Sequence, residues 1–292
     1  MSGGDLGPAG LPEPLTDTSP EGFRRAIEAD SIGSRLLNGE IPLEAHLEAD
    51  AAWAMTATPD PFRNVVVSAR FDEASADRRI AQIAAAFAER GTPFLWWRAP
   101  FHTPTDLGER LERAGIGEIA TGPAMAMDLR ALPADAAPPP GVSIEVVTDA
   151  AGLREYLDVL AAEPGAPDEP DLFPAGTVEA ILGHTGPRLA SEPVPMRYLA
   201  RLEGRAVATS RLSLAGGSAG IYAVGTLPEA RGRGIGRAMT LAPLRAARDM
   251  GYRIGTLQST DAGYRVYQAI GFIEVFRYAI HVGGWRVGAA DE

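Results

Sequence analysis

The sequence predicts an α/β (α+β) fold, a mixed, mostly antiparallel sheet flanked by helices, with a second, partial domain of the same kind. Short β-rich runs alternate with stretches whose apolar residues recur at helical spacing. A chain of 292 residues is long enough for about two cores. Residues 131–141, ALPADAAPPPG, form a Pro/Ala linker of polyproline II character between two such series of elements. The expected division is a flexible tail at 1–18, a first domain at 19–130, the linker at 131–141, and a second domain at 142–292.

Taken in order, Ser19-Pro20-Glu21 reads as an N-cap followed by proline at the first helical position, opening a helix through Phe23 and Ile27. Pro42 is expected to open a second helix, with Leu43, Leu47, Ala51 and Ala54 on one face and His46 beside it. Asn64 to Ala69 reads as a strand. The stripe Ile80, Ile83, Ala84, Phe87 predicts a helix from Ala74 to Arg90, stopped by Gly91 and Pro93. Phe94 to Trp97 is a strand, Thr105 to Ala114 a helix, and Ala124 to Leu129 a strand; His102 and the Trp96-Trp97 pair read as structural. Beyond the linker come a strand (Val142 to Val147), a helix (Ala150 to Ala161), an acidic, proline-rich loop (163–176) and a short helix near Val178 to Leu182. Strands Arg197 to Leu202 and Ala206 to Leu214 flank the turn Glu203-Gly204. A central strand and a helix toward Met250 follow, the helix with Pro243 inside it. The chain then gives a strand (Ile254 to Ser259), a helix (Ala262 to Ile270) and a last strand (Phe272 to Val282).

Composition narrows the function. The chain has no cysteine, which excludes disulfides, thiolate metal sites and thiol nucleophiles and fits a reducing cytoplasm. Its four scattered histidines suggest no metal site. No apolar run reaches the ~18 residues of a membrane helix, and MSGGDLGPAG does not read as a signal peptide. A net charge of −11 argues against broad binding to nucleic acid or anionic membranes. Against that background residues 231–253 carry six arginines and one acid, Asp249. A local cationic site on an acidic protein suggests one specific anionic ligand.

That site is AGIYAVGTLPEARGRGIGR, residues 219–237. An apolar strand breaks at Gly225-Thr226, turns through Leu227-Pro228, and reaches Gly232, Gly234 and Gly236 interleaved with Arg231, Arg233 and Arg237. A glycine-lined helix start presents unpaired N–H groups and the positive end of the helix dipole, and guanidiniums add donors matched to phosphate oxygens. Two other phosphate loops are excluded. The P-loop needs a lysine and all 27 basic residues are arginine; G-x-G-x-x-G fails at Arg237. What remains is R-x-x-G-x-G.

This motif, together with STDAGYRVYQAIGF at 259–272 ending in Tyr-x-x-x-Gly-Phe, resembles the GNAT superfamily of acetyl-CoA-dependent N-acetyltransferases over roughly residues 142–282. The resemblance implies a GNAT-type sheet and acetyl-CoA as co-substrate. Backbone at Val224, Gly225 and Thr226 would hold the pantetheine arm and thioester carbonyl. Arg231, Gly232, Arg233, Gly234, Ile235, Gly236 and Arg237 would hold the pyrophosphate, Thr260 would lie near the pantetheine, and Tyr267 would protonate the departing thiolate. The implied reaction is direct attack of a small-molecule primary amine in a ternary complex. A base is needed to make that amine neutral; Tyr222 and the acids Glu163, Asp168, Glu169 and Asp171 are open alternatives. The first half resembles a worn copy: TDLGERLERAGI (105–116) echoes TDAGYRVYQAIGF, with Leu111 or Glu112 where Tyr267 stands, and SARFDEASADRR (68–79) holds no glycine. Such a tandem would be a monomer with an internal pseudo-dimer, or a homodimer. Rival readings are a non-catalytic acyl-CoA-binding sensor or interaction module and a Fem-type aminoacyl transferase, the latter disfavoured by the chain's acidity.

Overall fold

The computed structural model describes residues 12–37, 43–134, 137–162, 177–185 and 195–284. These divide into two units, each interrupted in sequence. The first takes 12–37, 123–162, 178–185 and 195–276; the second takes 43–122, 177 and 277–284. The loop at 163–176, with its four candidate acids, lies outside the described residues.

In the first unit, Ser19 caps α1 (Pro20–Ile32) by accepting from the Gly22 N–H, and a single π-turn at Gly33–Leu37 ends it. The buried stripe Phe23, Ala26, Ile27 docks α1 on strands β9 (Ala219–Thr226) and β10 (Ile254–Gln258). The expected division groups this helix with residues up to 130, whereas its contacts put it in the unit that contains 195–276. The other elements are β6 (Val142–Val146), α4 (Ala150–Ala161), α5 (Thr177–Thr185, from its second residue), β7 (Met196–Leu202), β8 (Arg205–Ser213), α6 (Ile235–Asp249) and α7 (Asp261–Ile270). Glu203 and Gly204, both at positive φ (51° and 84°), make the two-residue β7–β8 turn that suits strand twist. Residues 124–128 of β5 (Gly117–Asp128) pair antiparallel with β10, so the strand order is β5-β10-β9-β8-β7-β6. Among the described strands of this unit only β9 and β10 run parallel, with α6 crossing between them. Met239, Leu244 and Ala247 of α6 bury against Val207, Leu212, Ile221 and Leu257; burial of each large aliphatic side chain contributes about 1.5–3 kcal/mol.

The second unit corrects one expectation. Leu43 to Ala54, expected in a helix opened by Pro42, is not helical: Leu43–Leu47 is β1 and Ala51–Thr56 is β2, paired antiparallel. His46 lies opposite Trp53 and stacks on it, ring centroids 3.7 Å apart. The spacing 43, 47, 51, 54 mimics a helical stripe, but every residue of β2 is buried, as in a core strand. With β3 (Val65–Ala69), α2 (Ala76–Glu89), β4 (Phe94–Arg98), α3 (Leu107–Arg113) and β11 (Ile273–Gly283), the strand order is β1-β2-β3-β4-β11. β3 and β4 are its parallel pair, joined by α2. His102 is structural: it is buried, its Nδ1 accepts from the Ala99 N–H at 3.3 Å, and burial among Arg70 and Arg98 pushes its imidazole down to about 3. Trp96 lies wholly in this core.

The order β1-β2-β3-α2-β4-α3-β5 repeats as β7-β8-β9-α6-β10-α7-β11. The strand that follows α3 lies beside β10, and the strand that follows α7 lies beside β4.

Candidate active site

The site begins with an irregularity in β9. Against β8, Arg211 faces Tyr222 and Thr209 faces Gly225, so two steps on one strand oppose three on the other. Ala223 absorbs the extra residue at φ +50°, a left-handed conformation that costs a non-glycine residue about 1–3 kcal/mol. The Thr209 hydroxyl holds the bulge by donating to the Ala223 carbonyl at 2.9 Å. On the other edge, the parallel ladder with β10 covers Ala219, Gly220 and Ile221 and goes no further. Val224, Gly225 and Thr226 therefore lie beyond the end of that ladder. Gly225 is buried; Val224 and Thr226 are half-buried.

A single 3-10 turn (Pro228–Ala230) follows, then the glycine loop and α6. Gly232 and Gly234 both adopt positive φ, 74° and 78°, and Gly234 is the N-cap of α6. The first N–H groups of a helix have no acceptor within it, and left-handed residues before it turn further amides toward the same side. No heavy atom lies within 4 Å of where a side chain on Gly232 would start. Ile235 is buried and anchors the helix, while Arg231, Gly232, Arg233 and Gly234 are exposed and Gly236 and Arg237 half-buried. Arg231 folds back, its Nε donating to the Thr226 carbonyl at 2.9 Å. The result is an open cradle of backbone donors with three guanidiniums nearby, which fits a pyrophosphate.

α6 carries Pro243, whose missing N–H leaves the Met239 carbonyl without its helical donor. The Ser210 hydroxyl of β8 fills that gap at 2.8 Å. Ser210 sits between Thr209 and Arg211, at the bulge.

Thr260 caps α7 by accepting from the Gly263 N–H at 3.3 Å. Tyr267 is half-buried, edge-on to Phe272 with ring centroids 6.1 Å apart. Its ring lies back along the helix over Gly263, where an added Cβ would fall 2.8 Å from the ring carbon Cε2.

Tyr222 is half-buried, with its hydroxyl turned toward α1. Its hydroxyl donates to Asp30 Oδ2 at 2.6 Å and accepts from Ser34 Oγ at 2.7 Å. Thr256 Oγ1 also donates to Asp30 Oδ2, at 2.9 Å. Arg35 and Arg211 flank the ring of Tyr222, 5.8 and 5.1 Å from its centroid. Arg35 also donates to Gln258 Oε1 at 3.3 Å. Asp30 is fully buried, and Gly220 is essential to its seat because any side chain there would collide with the carboxylate. Burial pushes the Asp30 carboxyl up to about 6, against the opposing hydrogen bonds from Tyr222 and Thr256 and the charges of Arg35 and Arg211. Burial first, and then the Asp30 charge, push the Tyr222 phenol well above its usual range. Sequence reasoning missed Asp30. Its one signal was a carboxylate on the apolar stripe of α1, at the helical spacing Phe23, Ile27, Asp30, Ser34.

Residues 158–272 match the family model for the acetyltransferase (GNAT) family. No curated protein matches the sequence. Among solved structures the chain is similar to a GCN5-related N-acetyltransferase from Kribbella flavida, with TM-score 0.67, 19% identity, and coverage of 90% of this chain and 96% of that one. It is similar to one from Sphaerobacter thermophilus (TM-score 0.58, 17% identity, 81% of each chain). It is also similar to a tandem GNAT protein from the clavulanic acid biosynthesis pathway, solved without acetyl-CoA, at TM-score 0.57 and 13% identity over 94% of this chain and 99% of that one. No helix among the described residues is long and apolar enough to cross a membrane, and none of them group to hold a metal ion. The segment 158–272 is thus a domain of the acetyltransferase (GNAT) family, in a chain with the tandem GNAT fold.

Proposed function

We propose that the chain transfers the acetyl group of acetyl-CoA to the primary amine of a small molecule, by direct attack with both substrates bound. The observation that carries this reading is the left-handed pair Gly232 and Gly234 opening α6 directly after a strand that is bulged on one edge and whose ladder with β10 ends at Ile221 on the other. Bound there, acetyl-CoA supplies an activated acyl group. The chain's residues do the rest. Amides of 232–237 with Arg231, Arg233 and Arg237 hold the pyrophosphate, and the backbone of Val224, Gly225 and Thr226, beyond the β10 ladder, orients the thioester and polarises its carbonyl. Thr260 borders the pantetheine arm, and Tyr267, a phenol with a reference pKa of about 10, holds the proton the thiolate takes up. Among its described residues the second unit offers no glycine at positive φ ahead of α2, whose N-cap is Ser75.

Calorimetric titration with acetyl-CoA, with free CoA and NADH as controls, tests the reading. One site per chain for the CoA compounds and none for NADH is the expected result. Two sites per chain, or none, would refute it. Binding with no thiol release across an amine panel would favour the sensor instead.

A further inference from the structure

We propose that Asp30, acting through the hydroxyls of Tyr222 and Ser34, takes the proton that the acceptor amine must lose before it attacks. The inference rests on the acetyl-transfer reading above and names the group that reading leaves open.

The hydrogen bonds have a fixed sense. An ionised carboxylate can only accept, so the Tyr222 hydroxyl must donate to Asp30 and its oxygen is left to accept from Ser34. All hydrogens along the chain of contacts therefore point toward Asp30. A proton delivered to the Ser34 or Tyr222 oxygen emerges as a proton on Asp30, each hydroxyl handing on its own hydrogen. The groups bonded to Asp30 are hydroxyls, of Tyr222 and Thr256, which can relay a proton; guanidinium partners could not. The hydrogen bonds from Tyr222 and Thr256, and then the charges of Arg35 and Arg211, which face this cluster from the turn after α1 and from β8, oppose burial and keep the carboxylate ionised at neutral pH. Oδ1 has no hydrogen-bond partner among the described residues, which leaves capacity for the proton.

The place is right as well. Tyr222 is the first residue of β9 past the ladder with β10, next to the bulged Ala223 and two residues before Val224. The proton acceptor thus enters the site from α1, an element outside the segment that matches the family model.

The protons balance. The ammonium of the acceptor gives one proton through Ser34 and Tyr222 to Asp30, which later returns it to solvent. The neutral nitrogen bonds to the acetyl carbon and the carbon–sulfur bond breaks. The nitrogen then loses a second proton to solvent, Tyr267 protonates the leaving sulfur, and the phenolate recovers a proton from solvent.

The test compares Asp30→Asn and Tyr222→Phe with the unaltered protein, by thiol release from acetyl-CoA. The nucleophiles are a primary-amine panel (tyramine, spermidine, glycylglycine, kanamycin) and hydroxylamine, which is already neutral at neutral pH. In both variants we expect kcat/KM for the amine to fall about 10²-fold or more. The acid limb near pH 6 should disappear in Asp30→Asn, while acetyl-CoA affinity and hydroxylamine turnover stay within a few-fold. A purely structural clamp would slow both nucleophiles alike and keep the limb; that result, or unchanged amine turnover in both variants, overturns the inference alone. Unaltered protein that binds acetyl-CoA but uses none of these nucleophiles overturns the acetyl-transfer reading, and this inference with it. Circular dichroism of both variants identifies misfolding, and Tyr222→Phe decides the matter should Asp30→Asn not fold.

Discussion

Asp30 ionises against its surroundings, and that has a measurable cost. Its folded carboxyl is raised from 3.8 to about 6, so the folded chain binds this proton more tightly than the unfolded chain. The contribution is most favourable below 3.8 and is lost as pH rises through about 6, on the order of 3 kcal/mol by neutral pH. Asparagine can accept the same two hydroxyls without the charge. Asp30→Asn should therefore raise the unfolding midpoint at neutral pH and leave it nearly unchanged in mild acid, as denaturant titrations at the two pH values will show; an equal shift at both would refute the buried-carboxylate account. Function and stability would then trade at one residue. Tyr267 invites a different pair of substitutions. Tyr267→Phe should lower kcat at least tenfold with little change in acetyl-CoA affinity. Gly263→Ala should lower kcat as well, because its Cβ would lie 2.8 Å from the Tyr267 ring and displace it; full activity in Gly263→Ala would mean the ring position is immaterial. The glycine cradle and Tyr267 were legible in the sequence because each lies in one short motif. Asp30 was not, since its hydrogen-bond partners stand 192 and 226 residues away.

At the scale of elements, α6 is fastened to the bulge by a proline and a serine. Pro243 removes the donor for the Met239 carbonyl, and Ser210 replaces it from the bulged strand. Ser210→Ala should cost about 1–3 kcal/mol, the penalty for a buried carbonyl left unsatisfied, and should also weaken acetyl-CoA binding; thermal melts paired with calorimetry check both. Gly236 offers a cleaner probe of the cradle than Gly234, whose left-handed φ of 78° would strain any replacement. An alanine at 236 meets only Thr226 Oγ1, at 3.7 Å, and favours the helix by up to ~1 kcal/mol. It should leave the fold as stable as before, or more so, while weakening acetyl-CoA binding at least tenfold; unchanged affinity would move the pyrophosphate elsewhere. Pro243 had no explanation from sequence because its partner lies on another element. The β1–β2 hairpin is not legible in the sequence for a related reason: a short apolar run fits either period, and the deciding fact, burial of every residue of β2, is tertiary.

On the scale of the whole molecule, the doubled order of elements was legible as an echo between 105–116 and 260–272, but the exchange of final strands was not. Local pattern sets element type; it does not say beside which strand an element will lie. The chain beginning at residue 142 lacks both α1 and the β5 residues that pair with β10. Expressed alone, residues 142–292 should therefore aggregate or fail to bind acetyl-CoA; a soluble, binding-competent fragment would restore the boundary at 131–141. The same interruption has a consequence in time. Synthesis runs at roughly 5–20 residues per second, so Asp30 leaves the ribosome some 10–45 seconds before Thr256, the residue 226 positions later that helps to hold it. The second unit waits longer still, because β4 pairs with residues 279–283 of β11. Neither unit can close early: the apolar face of α1 stays uncovered until β9 and β10 are made, and the edge of β4 until residues 279–283 follow.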